Sequence, residues 1–319
     1  MSESGLIRKH FGFPCGPSVI LGPGDDAAVV DVGGCSRLAI STDTLVEGVH
    51  FLAGADPATL GRKCLSVSLS DMAAMGAAPL CATVALTHPG LDSAWAGKFS
   101  EGLSQVAHEH STSIVGGDLT SGAKIAVTVT VAGKCDGGHL TRSGASPGDD
   151  VWLSGFAGEA SLGLAVLRGD LPDAHGKGAR EAVRRHLDPE PRVRLGLLIA
   201  GVASAAIDTS DGLWKSLELL SESSGVGLEV AADDVPRSGG LLRLPAERQD
   251  AIAFGASDDY ELLFASAERS RGAVASAAEQ AGVQVSRIGK VTGGSRVALM
   301  RDGKDVTADI GPSAHEHWQ

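Results

Sequence analysis

Four times along this chain an apolar strand runs into a short Gly, Ser or Thr turn that carries an Asp. The segments are GPGDDAAVV (22–30), LAISTDTL (38–45), SIVGGDLT (113–120) and AAIDTSDGL (205–213). Taken singly, each is explained as well by turn and helix-capping chemistry, because an Asp side chain bonds nearby backbone N–H groups. Four in one chain constrain the fold, since strand ends on one sheet edge converge in space and functional groups collect there. Converged carboxylates repel, and their pKa values rise unless divalent cations sit among them. Hard oxygen donors of this kind select Mg2+ or Mn2+ over zinc.

Asp71 adds a different clue. In ATLGRKCLSVSLSDMAAMGAAP it sits within a nearly uncharged helix of Leu, Val, Met and Ala. A carboxylate there needs a partner, which is a metal or the polar face offered by Ser66, Ser68 and Ser70.

The chain has 319 residues, with 27 Lys and Arg against 39 Asp and Glu, a formal charge of −12. That length favours two domains. The acid excess argues against nucleic-acid binding, which needs clustered Lys and Arg to displace counterions from phosphates. Residues 1–140 carry 13 acids and 8 bases, and the five Asp at 25, 26, 43, 71 and 118 account for that excess. An anionic partner therefore needs a cation between it and the protein. No window reaches the roughly 18 apolar residues of a membrane span. The start MSESGLIRKHFGF lacks an apolar signal core, so no membrane partner and a cytoplasmic location are expected. Cys15, Cys35, Cys64, Cys81 and Cys135 are widely spaced without a C-x-x-C pair, which suggests neither a disulfide framework nor a zinc site.

Alternation in IAVTVTV (125–131) predicts a strand, and shorter strands are expected at 38–42, 81–86, 114–115, 151–154, 205–208 and 226–230. Helical patterns run over 58–75, 93–109, 191–201, 212–223 and 268–281. Strands and helices intersperse without strict βαβ alternation, which predicts an α+β fold. The turn-rich run 143–150 marks a boundary between domains 1–140 and 141–319, and the Gly-rich 169–178 reads as a surface loop.

Two nucleotide signatures fail. Gly-Lys pairs begin at 97, 133, 176, 289 and 303, but Ser or Thr never follows, so there is no P-loop. Gly22-Pro-Gly24-Asp-Asp-Ala27 fits G-x-G-x-x-A formally, but the following AVVDVGG reads as strand and turn, whereas the dinucleotide fingerprint requires a helix. Asp258-Asp259-Tyr260-Glu261 forms a further acidic turn before a short strand, with solvated acids as the plain reading. Arg142, His50 and Trp318 are individually weak: a surface arginine, a structural histidine and a packing or frayed residue are the commoner readings.

Taken in order, GPGDDAA, LAISTDTLVEGVHF, SLSDMAAMGA, IVGGDLT, LTRSGASPGD, AIDTSDGL, DDYEL and an aromatic near the end resemble the thiamine-monophosphate kinases. These belong to the aminoimidazole ribonucleotide synthetase-like superfamily, and the match runs along nearly the whole chain. STDTLVEGVHF with LSDMAAMGA is its most specific part. Selenophosphate synthetase relatives would carry a reactive Cys or selenocysteine in a Gly-rich loop, and hydrogenase-maturation relatives end in a cysteine motif; this chain ends HEHWQ.

The resemblance implies ATP-dependent phosphorylation of thiamine monophosphate to thiamine diphosphate, with several Mg2+ ions and direct in-line transfer. It places metal binding on Asp26, Ser41, Thr42, Asp43, Asp71, Asp118, Asp208 and Asp211. ATP contacts fall on Gly117, Asp118, Arg142 and Ser210, and thiamine phosphate contacts on His50, Asp258 and Trp318. Asp43, Asp71, Asp118 and Arg142 carry the catalytic roles. It further implies an N-terminal α+β domain whose sheet pairs with its copy in a dimeric β-barrel, and a C-terminal α/β domain, so a homodimer is expected. One departure stands out: the family usually has Gly-Gly-Glu before Asp-Tyr-Glu, and here Ala256-Ser257-Asp258 precedes it. Asp258 keeps the charge but is one methylene shorter. A superfamily relative that activates an amide or formyl oxygen, and a nonenzymatic Mg-nucleotide sensor, are the competing readings.

Overall fold

The computed structural model describes residues 15–34, 36–135, 138–171 and 174–310. The alternating segment around Val127, Val129 and Val131 does form a strand, β6 (Ala126–Lys134), with those three side chains fully buried on one face. It is central in a six-stranded sheet with β1 (Val19–Leu21), β2 (Ala28–Gly33), β3 (Ser36–Val46), β4 (Ala78–His88) and β5 (Ser113–Ser121), ordered β1-β2-β3-β6-β4-β5. All neighbours are antiparallel except β4 and β5. The opposite face is lined by small and hydroxylated residues, where Thr42 pairs with Thr130 and Thr44 with Thr128 through hydroxyl contacts of 2.9 Å. The sheet is open, with β5 exposed along its length at one edge.

Two of the expected Asp turns are strand interior instead. GGD does not bend the chain: β5 runs from Ser113 through Ser121, and a Cβ on Gly117 would lie 1.8 Å from the Val84 carbonyl oxygen. Gly117 there permits close strand approach rather than a turn. Asp43 likewise lies within β3. This strand pairs with β6 as far as Val46, whereas β2 pairs only to Ile40, so residues 41–45 have no strand partner on that side among the described residues.

Helix α1 (Pro57–Ala74) is started by Asp56, whose carboxylate accepts from the Thr59 N–H at 3.0 Å, and by Pro57 in its first turn. Its apolar residues occur on all sides, and a helix of that kind must be covered on all sides. One side meets the six-stranded sheet and α2 (Ser93–Glu109), while the other meets the second half of the chain at α5 (Val193–Ile199) and β8 (Ala203–Asp208). Leu65, Leu69, Met72, Ala73 and Ala74 are fully buried as a result. The crossing with α2 is close: a Cβ on Gly102 would sit 1.9 Å from the Ala58 carbonyl oxygen, and one on Gly61 2.2 Å from that of Phe99.

The second sheet holds β7 (Asp149–Ser154), β8, β9 (Gly227–Ala231), β10 (Leu262–Ala267), β11 (Val285–Thr292), β12 (Val297–Arg301) and β13 (Lys304–Asp305), ordered β13-β12-β9-β11-β7-β10-β8. Strand alternation divides its side chains between two cores. Ile207, Leu263 and Ala265 join the core under α6 (Leu213–Ser224) and α7 (Ala246–Phe254). Ala206, Leu262 and Phe264 face the other way, into the core that contains α1, α5 and α8 (Arg271–Ala281). The two halves therefore share the apolar layer around α1. Helices α3 (Glu159–Arg168) and α4 (Gly176–Leu187) pack together beyond the second sheet. The expected loop 169–178 ends early, because Gly176 already opens α4. Gly178 serves packing, since a Cβ on it would lie 2.7 Å from Gly240 Cα. Among the described residues no helix is long and apolar enough to cross a membrane.

The α1–α2 crossing makes a direct prediction. Gly102→Ala forces the helices apart and should lower unfolding stability by about 2 kcal/mol, measured as a reduced urea midpoint with unchanged slope. An unaltered midpoint would show that the crossing tolerates a side chain.

Candidate metal and phosphoryl-transfer site

Three carboxylates from distant parts of the chain meet at the junction of the two sheets. Asp26 lies in the turn before β2, Asp71 near the end of α1 and Asp208 at the end of β8, and each offers an oxygen within 4.8 Å of the others. Hydroxyl donors hold two of them in place. Ser41 donates to Asp71, while Ser70 donates to Asp208 at 2.6 Å and Ser210 to the other Asp208 oxygen at 3.0 Å. Asp43 approaches the group from β3, near enough for its charge to raise Asp71.

One fixed positive charge stands against this set. The Arg142 guanidinium donates to Asp26 at 2.6 Å. Its backbone N–H donates to the Asp25 carboxylate at 3.1 Å, and Asp25 also accepts from the Asp26 N–H at 3.0 Å. Asp25 is thus the fastener that joins the 22–27 turn to the interdomain segment.

Burial sets the protonation of the cluster. It raises Asp26 and Asp43, and it raises Asp208 to about 7, with the Asp26 charge adding to the shift. Asp71 is pushed well above the ordinary carboxylate range, first by burial and then by the charges of Asp43, Asp208 and Asp26. Burial and the Asp26 charge also lift Asp25, to about 6. One oxygen each of Asp26 and Asp43 is buried without a hydrogen-bond partner. Buried carboxylate oxygens that lack donors, surrounded by like charge, are the environment a hard divalent cation relieves. The residues present therefore fit Mg2+.

A cleft of about 420 Å3 opens beside the cluster. The unpaired edge of β3 contributes Thr42 and Asp43, α1 contributes Lys63 and Val67, and the Asp208 turn contributes Ser210 and Asp211. His50 also lines it, its ring fixed because Nδ1 accepts from the Val46 N–H at 2.9 Å. Asp258 completes the lining together with Tyr260. The Asp258 carboxylate accepts from Lys63 Nζ at 2.8 Å and lies 3.3 Å from His186 Nδ1. Burial alone would raise its pKa, but Lys63 and His186 outweigh that and hold it at about 2.

The acidic turn 258–261 is not a solvated one. Asp259 accepts from the Gly158 and Ala160 N–H groups at 2.7 and 2.8 Å, so it caps the start of α3. Buried Glu261 accepts from Arg192 at 2.6 Å and from Ser154. With its neighbours fastened, Tyr260 is kept at φ 53°, a left-handed conformation unusual for Tyr, and only Asp258 of the three acids lines the cleft.

Gly117 and Asp118 lie elsewhere. By register Asp43 pairs with Val129, Val129 with Val84 and Val84 with Gly117, so Asp118 stands three strands away on exposed β5 and outside the cluster. Thr42 turns its hydroxyl to Thr130, on the face opposite Asp43. Trp318 lies outside the described residues. Lys63 and His186 were missed by sequence reasoning. Lys63 carried a usable signal, since a cation on the same helix side as Asp71, two turns before it among apolar residues, needs a buried partner, whereas nothing near His186 indicated its reach to Asp258.

Comparison with known proteins places both halves of the chain in one family. The model for the AIR synthase related protein N-terminal domain matches residues 24–135, and that for the C-terminal domain matches residues 146–302. The chain is 41% identical over 313 residues to a thiamine-monophosphate kinase of Escherichia coli (strain K12), covering 96% of each protein. It superposes on the thiamine-monophosphate kinase of Stenotrophomonas maltophilia K279a with a TM-score of 0.80 at 36% identity, covering 90% of this chain and 92% of that one. The solved complex of AaThiL with AMPPCP and TMP gives a TM-score of 0.80 at 30% identity, over 92% of this chain and 91% of that one.

The crowded carboxylates predict a trade between stability and metal binding. Replacing Asp71 with the isosteric amide, Asp71→Asn, should raise stability without divalent cation by about 1–2 kcal/mol and remove the Mg2+-induced rise in melting temperature. A destabilised variant that still responds to Mg2+ would contradict the arrangement. For the unaltered protein without metal, folded Asp208 and Asp25 keep their protons at a pH where the unfolded chain has lost them. Stability should therefore fall as pH rises from about 4 to 7 at these groups. Mg2+ should then raise the melting temperature by about 3 °C more at pH 7.5 than at pH 5.

Proposed function

The chain belongs to the thiamine-monophosphate kinases among the AIR synthase related proteins, and we propose that it transfers the γ-phosphoryl group of ATP to thiamine monophosphate, yielding thiamine diphosphate and ADP. The observation that carries this reading is the meeting of Asp26, Asp71 and Asp208 within 4.8 Å beside a cleft large enough for a small organic phosphate. Asp26, Asp43, Asp71 and Asp208 would hold Mg2+, with Ser41, the Thr42 backbone and Asp211 at its margin. When bound, Mg2+ supplies charge neutralisation for the phosphate oxygens of donor and acceptor.

The acceptor needs little activation. A phosphate monoester has its second pKa near about 6, so its oxygen is already anionic at neutral pH and no strong general base is required. Alignment and charge balance are the remaining demands. Arg142, Ser210 and Gly117 with Asp118 are the proposed ATP contacts. His50 and Asp258 line the acceptor cleft, and Trp318 is proposed to cover the substrate ring from the C-terminal segment.

We place the domain division at 140/141, with the first domain supplying most metal ligands and the second completing the cleft. A dimer belongs to the same proposal. The open sheet exposes β5, where Val115 is 62% and Leu119 69% accessible, an unpaired apolar edge that a second copy would cover in a closed barrel. A partner's β5 could also approach a cleft from which its own Asp118 is distant. The cytoplasm, which supplies ATP and Mg2+, is the matching location.

Incubation with ATP, Mg2+ and thiamine monophosphate should give thiamine diphosphate and ADP in equal amounts; ADP release stimulated by a different acceptor instead would overturn the proposal. Asp43→Asn should reduce turnover at least about a hundredfold with the fold intact by circular dichroism. Leu119→Asp should convert the dimer to monomer in sedimentation, and an unchanged mass would move the interface elsewhere.

A further inference from the structure

Lys63 is 3% exposed and its side chain reaches the same cleft that is proposed to receive thiamine monophosphate. A buried ammonium is costly unless closely paired, and this one donates to the His186 carbonyl at 2.9 Å and to Asp258 Oδ2 at 2.8 Å. The His186 ring, 5% exposed, closes on the other Asp258 oxygen at 3.3 Å. The Asp258 side chain itself remains 27% exposed. It is therefore held by two buried groups that line the same cleft, while part of it stays open to that cleft.

The position of this grip along α1 is informative. Lys63, Val67 and Asp71 follow one another at four-residue spacing along one side of the helix, so Lys63 stands about 12 Å from Asp71 by the helical rise. One rigid element thus carries both the carboxylate of the transfer cluster and the cation that fixes Asp258. A two-ring phosphate ester lying extended beside it presents its phosphate at one end and its pyrimidine at the other.

Because the ammonium already balances the Asp258 carboxylate, the pair offers the cleft little net charge. What it offers is a fixed acceptor oxygen, suited to a neutral N–H donor rather than to a ring cation. The thiazolium of thiamine has no N–H, whereas its pyrimidine carries an exocyclic amine. We propose that Lys63 is a positioning residue which, with His186, orients Asp258 to accept from the 4-amino group of the pyrimidine, and so sets acceptor specificity. This rests on the kinase reading above.

The test uses the full-length protein with thiamine monophosphate and its 4-oxo analogue, in which the amine is a carbonyl. The unaltered enzyme should prefer the amine by about ten- to a hundredfold in kcat/KM, the usual loss when a site that accepts from a substrate N–H meets an analogue lacking it. Lys63→Met should raise KM for thiamine monophosphate about tenfold, move kcat far less, leave the KM for ATP in place and bring the preference to within about threefold. Lys63→Gln, which keeps a donor toward Asp258, should recover part of the preference. Asp258→Asn should abolish it, and tests the carboxylate directly should Lys63→Met fail to fold. Equal use of both acceptors by the unaltered enzyme, or a Lys63→Met enzyme that melts lower yet keeps full preference, would overturn the proposal while leaving the kinase reading intact. Phosphorylation of neither acceptor would overturn both.

Discussion

The structure is organised around an unfavourable interaction, the burial of several like-charged carboxylates at one point. Asp26, Asp71 and Asp208 come from a turn, a helix and a strand end, and Asp43 joins them from a fourth element. Their mutual repulsion and loss of water disfavour the charged forms, and Arg142 is the one guanidinium in contact with the set among the described residues. Such a site persists only because the surrounding packing over-determines it. A divalent cation would convert the same arrangement from a liability into a binding site, and binding and folding would then be linked.

The packing that imposes this arrangement is centred on α1. It is covered on one side by the first sheet and α2, and on the other by β8 and α5, so the helix belongs to both halves of the molecule. That position explains why so apolar a helix tolerates two ionisable residues on one side. Asp71 meets carboxylates from both halves, and Lys63 meets Asp258 and the His186 carbonyl from the second half. The relative placement of transfer cluster and cleft is thereby fixed by a helical rise instead of by flexible loops.

Much of this was legible in the sequence wherever a local pattern had a single physical solution. The alternation around Val127 to Val131 became the central strand, and the apolar run expected over 58–75 gave α1 within a residue of those bounds. Rejecting the dinucleotide motif at 22–27 was sound, because β2 follows it where a helix would be required. Glycine misled twice, since Gly117 and Gly178 serve close backbone approach and not turns. The acidic run 258–261 misled for a related reason. Its composition suggests a solvated turn, but Asp259 and Glu261 are fastened by partners about 100 and 69 residues away, and no local pattern encodes them. The Lys63, His186 and Asp258 contact is non-local in the same sense.

The central claim is that the carboxylate cluster admits a nucleotide only together with a divalent cation. Calorimetric titration of a non-hydrolysable ATP analogue, with Mg2+ and then with excess chelator, tests it directly. The account predicts binding at least about a hundredfold tighter with Mg2+, because two or more buried carboxylates otherwise face the phosphates. Equal affinity in the two titrations would contradict it.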